Sequence, residues 1–97
     1  MKIVLSDDAR RWFEEEMEAQ TGDYIKFFAR YGGSSQLHEG FSLGVMKEVP
    51  DELAVETERD GVHFYIEQRD YWFFDEHDLH VDVDPHLKEL VYMYEKA

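Results

Sequence analysis

The chain has 97 residues, 43% hydrophobic and 15% aromatic, a composition that fits one small folded domain and is too apolar for a disordered segment. With 23 acidic against 10 basic side chains its formal net charge is -13, a surface that repels nucleic-acid phosphates and anionic lipids. There is no cysteine, which excludes disulfides, thiolate metal sites and cysteine nucleophiles.

The only adjacent basic pair, Arg10-Arg11, is followed by acids, so no nucleic-acid partner is expected. No run reaches the roughly 18 apolar residues of a spanning helix. The opening Met1–Ser6 is too short and too soon acidic for a secretory signal. The expectation is a soluble, cytoplasmic protein with no membrane partner.

In chain order, Lys2–Leu5 reads as a first strand and Ser6 as an N-cap, with Asp7 and Asp8 suited to the positive end of a helix dipole. Ala9, Trp12, Phe13, Met17 and Gln20 recur near helical spacing among charged residues, which predicts an amphipathic helix. Thr21-Gly22-Asp23 stops it, with Gly22 as a left-handed cap. Tyr24–Tyr31 alternates, with Ile25, Phe27, Ala29 and Tyr31 on one face and Tyr24, Lys26, Phe28 and Arg30 on the other. Both faces carry aromatics, which predicts a central strand covered on both sides.

Gly32-Gly33-Ser34-Ser35 breaks that strand, and Phe41, Leu43 and Val45 alternate along the next one. Gly44 within it marks a bulge or a close backbone approach. Val49-Pro50-Asp51-Glu52 reads as a turn. Asp60-Gly61 joins Ala54–Arg59 to Val62–Ile66 as a hairpin, with Val62, Phe64 and Ile66 towards the core. Glu67–Phe74 fits either a short helix or an aromatic-rich loop. Asp75–Asp78 turns the chain, then Leu79, Val81 and Val83 alternate with His80, Asp82 and Asp84. After a break at Asp84-Pro85, Leu90, Tyr92 and Tyr94 alternate in a last strand. The expected architecture is a single domain, 1–97, of the α+β class: a small, mostly antiparallel or mixed sheet structure with an N-terminal helix against it.

Four constellations could carry chemistry. Glycine-rich loops cradle phosphate when they open a helix, but Gly32-Gly33-Ser34-Ser35 joins strands and lacks both a following lysine and the spacing of nucleotide-binding motifs. It reads as a tight turn or as an exposed recognition loop made of Gly32, Gly33, Ser34, Ser35, Gln36, His38 and Glu39. In Asp75–Asp84, residues His77, His80, Asp82 and Asp84 offer imidazole and oxygen ligands of the kind zinc, manganese or iron accept. Their spacing matches neither His-Glu-x-x-His nor an EF-hand loop, and a solvated acidic strand face competes. Ser34, Ser35 and Ser42 lie near His38 without a Gly-x-Ser-x-Gly frame, so no catalytic serine is expected. Tyr71-Trp72-Phe73-Phe74 has Asp70, Asp75 and Glu76 as neighbours, where a base-stacking platform would want basic ones. Core packing or a hydrophobic partner surface is expected, with one or two of the four rings exposed.

The opening strand and helix of Ile3–Gln20, the run Tyr31-Gly32-Gly33-Ser34-Ser35-Gln36-Leu37, the Asp60-Gly61 hairpin and Asp78-Leu79-His80-Val81-Asp82 together resemble the HesB/IscA family of iron-sulfur biogenesis proteins. The likeness is closest to its small HesB-like members of the YneR type, and Arg30–Val45 is its most specific element. The resemblance implies a HesB-like fold with a short second helix over Glu67–Phe74. Family members that carry clusters have a Gly-Gly-Cys-x-Gly-Leu-like stretch and a Cys-Gly-Cys pair near the C-terminus. Here Ser34 falls at the first cysteine, Gln36 at the glycine, and no Cys-Gly-Cys precedes Ala97. Thiolates normally hold such clusters, so no iron-sulfur cluster and no other cofactor is expected. The resemblance thus points to a non-enzymatic binding or accessory protein with protein partners or self-association. The alternative is a divalent metal- or small-ligand-binding protein using His77, His80, Asp82 and Asp84.

Overall fold

Alternating apolar residues, one capped amphipathic run and a few glycine or proline breaks set the element order. The computed structural model describes Met1–Ala97. Strand β1 (Ile3–Leu5) leads into helix α1 (Asp7–Glu16), followed by β2 (Tyr24–Ser34), β3 (Glu39–Lys47), β4 (Leu53–Arg59) and β5 (Val62–Glu67). A 3-10 helix (Gln68–Phe74) precedes β6 (His77–Asp84) and β7 (Glu89–Lys96). The chain is α+β and mostly β, in two mixed sheets. One has the order β1-β6-β7, with β1 parallel to β6. The other has the order β3-β2-β5-β4, with β2 parallel to β5. No helix is long and apolar enough to cross a membrane.

The Ser6 hydroxyl accepts the Ala9 N–H at 3.0 Å and starts α1, with Asp7 and Asp8 in the first turn. Ala9 and Phe13 are fully buried. The Phe13 ring centroid lies 6.0 Å from that of Phe27 and 5.0 Å from that of Phe64, so helix and four-stranded sheet share one aromatic core. The helix ends one turn before the expected stop, at Glu16, and its left-handed residue is Glu18 (φ +52°), not Gly22. The cause is local competition. The Ala19 N–H returns to the Phe13 carbonyl at 3.2 Å, and the Asp23 carboxylate accepts the Gln20 N–H at 2.8 Å, closing a turn where another helical turn would have formed.

In β5, Val62, Phe64 and Ile66 are buried as predicted, but so are Tyr65 (0% exposed) and Glu67 (2%) on the opposite face. The cover there is the connection Glu48–Glu52. Because β3 and β4 stand at opposite edges of the sheet, this segment is longer in reach than the turn expected at Val49–Glu52. It crosses over β2 and β5 and bends only at Asp51–Glu52. Polar groups fasten it: Tyr65 donates to the Glu48 carbonyl at 2.5 Å, and the Lys26 ammonium meets the Glu48 carboxylate at 2.7 Å. The two oxygens of Glu67 accept the Asp51 and Glu52 N–H groups at 2.9 Å each. Burial pushes the Glu67 carboxyl up, but those two amides and the charges of Arg69 and Lys26 outweigh it and hold the group below its ordinary 4.5. Tyr65 is pushed up to about 12 by burial and by the charges of Glu67 and Glu48.

Strand β2 has two unlike halves. Its N-terminal end pairs with β5 over Tyr24–Lys26 and with β3 from Ile25, and Ile25, Lys26 and Phe27 are all buried. Beyond Lys26 it pairs with β3 alone. The prediction of cover on both faces therefore holds for Ile25–Phe27 and fails at Tyr31, which is 92% exposed. Gly44 on β3 marks a close approach rather than a bulge: a Cβ there would lie 2.5 Å from Arg30 Cδ and 2.7 Å from Phe28 Cζ.

Candidate functional site

The two-stranded ribbon formed by the outer parts of β2 and β3 carries the glycine-serine loop at its tip. Pairing runs in register to Tyr31↔Phe41 and resumes at Ser34↔Glu39, so β2 has one extra residue at Gly32-Gly33. Both glycines adopt positive φ (+110° and +69°), which side-chain-bearing residues rarely do, and this bulge twists the tip. Ser35 closes the turn: its N–H and hydroxyl donate to the His38 carbonyl at 2.9 and 3.2 Å, and its hydroxyl accepts the His38 N–H at 3.0 Å. Ser34, Gln36 and Glu39 stay exposed.

That turn aims His38 at the 3-10 helix. The His38 Nε2–H donates to the Phe73 carbonyl at 2.9 Å, and its ring centroid lies 5.2 Å from those of Trp72 and Phe73. Trp72 meets Phe41 edge-on at 5.2 Å, and Phe41 meets Tyr31 edge-on at 5.7 Å. Of the four consecutive aromatics, Phe73 and Phe74 enter the core while Tyr71 (40%) and Trp72 (50%) remain open to solvent, as predicted. The Ala29 N–H, on the edge of β2 that β5 has left, donates to Asp70 at 3.4 Å and ties the 3-10 helix to the ribbon. The loop and the aromatic run, separate candidates in the sequence, thus form one surface: Tyr31, Phe41, His38 and Trp72.

Beside the tip, Ser34, Ser35, Gln36 and Ser42 line a cleft of about 250 Å³ with Leu43, Tyr92 and Tyr94. Burial pushes the Tyr92 phenol up to about 12 and, together with the neighbouring Tyr92, pushes Tyr94 above its ordinary value. Both phenols therefore keep their protons at neutral pH, and the cleft is lined by uncharged hydroxyls. The sequence marked Tyr92 and Tyr94 only as one face of a strand; their place opposite Ser34 depends on how the two sheets pack. A larger cavity of about 540 Å³ lies between the end of α1 and the Asp60-Gly61 turn. Its arginines are already engaged, Arg10 with Glu14 and Asp60, and Arg59 with the Leu5 carbonyl and Asp7.

The four residues singled out as metal ligands share β6 but serve different partners. His77 Nδ1 stands 3.0 Å from the Phe74 carbonyl and 2.7 Å from that of Asp75. His80 Nε2 lies 3.1 Å from the Glu95 carboxylate. Asp82 accepts the Ser6 hydroxyl and the Val83 N–H, both at 2.8 Å, which hold it below its ordinary 3.8. Asp84 accepts the His86 and Leu87 N–H groups at 2.8 and 3.0 Å and shapes the turn before β7. No three His, Asp or Glu side chains come together in a group that could hold a metal ion.

The family model for iron-sulphur cluster biosynthesis matches residues 1–92, so the chain belongs to that HesB/IscA-like family. Within it, a Bacillus subtilis (strain 168) protein named pyruvate dehydrogenase inhibitor is 44% identical over 95 residues, covering 98% of this chain and 100% of that protein. A Staphylococcus saprophyticus protein named as uncharacterized is 41% identical over 95 residues, covering 95% of this chain and 97% of the relative. A similarly named Staphylococcus aureus (strain MRSA252) protein is 34% identical over the same shares of both chains. No solved structure matches the chain significantly.

Proposed function

We propose that this protein is a non-enzymatic, cytoplasmic binding protein that carries no iron-sulfur cluster and acts by docking on another protein through the ribbon tip and the 3-10 helix. The observation that carries this reading is the convergence of the Gly32–Glu39 loop and Trp72, through His38, into one exposed aromatic surface. The absence of cysteine removes the usual cluster ligands from every position, Ser34 included. The name of the full-length Bacillus subtilis relative supports the pyruvate dehydrogenase complex as the partner. In this reading His38, Trp72, Phe41 and Tyr31 make the contact, while Gly32, Gly33, Ser34, Ser35, Gln36 and Glu39 shape the tip.

The test is a titration of purified protein into the complex, following pyruvate oxidation. A saturable fall in rate is expected, weakened about tenfold or more by His38→Ala or Trp72→Ala in variants whose circular dichroism is unchanged. Neither binding nor inhibition at saturating protein overturns the partner assignment. Anaerobic reconstitution with iron and sulfide tests the cluster-free part, which a stable cluster chromophore would sink. The alternative of a divalent ion at His77, His80, Asp82 and Asp84 has less support, since each of these groups is committed to a different neighbour. Stoichiometric metal lost in His80→Ala would favour it.

A further inference from the structure

Resting on the reading of this surface as a protein-docking site, we propose that the partner presents a basic segment. An arginine or lysine head group of that segment sits against Tyr31 and Trp72. Two independent features lead here. The first is ring exposure. Tyr31 is 92% and Trp72 50% exposed, and aromatic faces carry a negative quadrupole that attracts cations. The molecule makes the same contact internally, where the Lys26 ammonium lies 5.6 Å from the Phe28 ring centroid.

The second is local charge. The stretches Tyr31–Phe41 and Asp70–Glu76 contain Glu39, Asp70, Asp75 and Glu76 and no lysine or arginine. Arg30 and Arg69 stand just outside them, and the stem of Arg30 lies over Gly44. Asp75 and Glu76 are exposed and held by left-handed backbone at the end of the 3-10 helix. Lys96 pairs across from His77, yet the two segments that build the aromatic step contribute four carboxylates and no cation, and on a chain of net charge -13 such a step is complementary to cations. A second copy of this chain would set like charges face to face, and an anionic ligand would meet the same repulsion.

The experiment uses the two tryptophans, whose indole N–H signals are told apart by Trp12→Phe. The protein is titrated with an octa-arginine peptide and with an octa-citrulline peptide of the same shape and no charge. The arginine peptide is expected to shift the Trp72 indole and the Tyr31–Phe41 amides saturably, and the citrulline peptide to leave them in place. Tyr31→Ala, which removes an exposed ring, weakens binding about 3- to 10-fold. The triple change Glu39→Gln, Asp75→Asn, Glu76→Gln weakens it at least as much. Glu15→Gln with Glu16→Gln on α1 changes it less than twofold. Equal binding of both peptides, or equal loss on changing the α1 acids, overturns the proposal. If the protein inhibits the complex while the arginine peptide neither binds nor competes, only the basic partner falls. If the peptide binds as described and the complex is untouched, the assignment of that complex falls.

Discussion

Phe27 and Tyr31 lie on the same face of the same strand, yet one is fully buried and the other almost fully exposed. Around Ile25–Phe27, β2 has hydrogen-bonded neighbours on both edges, the aromatic core on one face and the Glu48–Glu52 connection on the other. Around Tyr31–Ser34 it has one neighbour, and the Tyr31 ring is left without cover. An alternating strand supplies the same chemistry at both ends; the elements packed above and below decide whether it becomes core or contact surface. Under the proposed docking role the division also sorts function: substitutions at one end should act on stability and at the other on binding.

The largest expected effect probes that division directly. Phe27→Ala should cost about 3–5 kcal/mol in urea unfolding, because a fully buried ring leaves a cavity. Tyr31→Ala should stay within about 0.5 kcal/mol. Comparable losses at both sites would break the contrast. On the covered face, Glu67→Ala removes the acceptor for the Asp51 and Glu52 amides and should cost about 2–4 kcal/mol. Glu67 also sets a pH dependence. Its folded pKa lies below 4.5, so its contribution is complete above that pH and is lost as pH falls through the folded value. Wild type should therefore lose more stability than Glu67→Gln as the solution is acidified below about pH 4.5.

At the exposed end, His38→Ala removes the bond to the Phe73 carbonyl and should cost about 1 kcal/mol while weakening inhibition far more than that loss implies. The smallest effect belongs to Ser34→Ala. The side chain is exposed and makes no hydrogen bond, so stability should change by less than about 0.5 kcal/mol and inhibition less than twofold. A large effect at Ser34 would shift the contact from the aromatic surface to the hydroxyl-lined cleft.

Features that depend on local chemistry could be read from the sequence. The Ser6 cap, the two-residue Asp60-Gly61 turn with both residues left-handed, and the half-exposed run Tyr71–Phe74 all followed from neighbours in the chain. The expected HesB-like fold class and the family likewise stand. What could not be read depends on tertiary placement. Lys26 and Glu67 look like solvent-facing charges until the connection crosses above them, and a lysine amid Ile25, Phe27 and Phe28 was the only hint. His38 gave no sign that it would face the carbonyl of Phe73, because their meeting depends on where the 3-10 helix docks.

The crossing segment has a further consequence. Lys47, Ile25, Phe64 and Thr57 form one row across the four-stranded sheet, whereas Leu53 pairs opposite Glu67, three positions further along β5, across a bulge in β4. Crossing three strand spacings while advancing that far is a diagonal of about 17 Å, and the chain from Lys47 to Leu53 reaches only about 20 Å when extended. The segment is therefore a tie-rod whose few ångströms of slack are taken up by the bend at Asp51–Glu52, and Pro50 helps to keep the part before that bend extended. Deleting Val49 should force β3 or β4 out of register and unfold the sheet, whereas a glycine inserted at the same place should be absorbed as a bow, a difference that circular dichroism and urea melts would register.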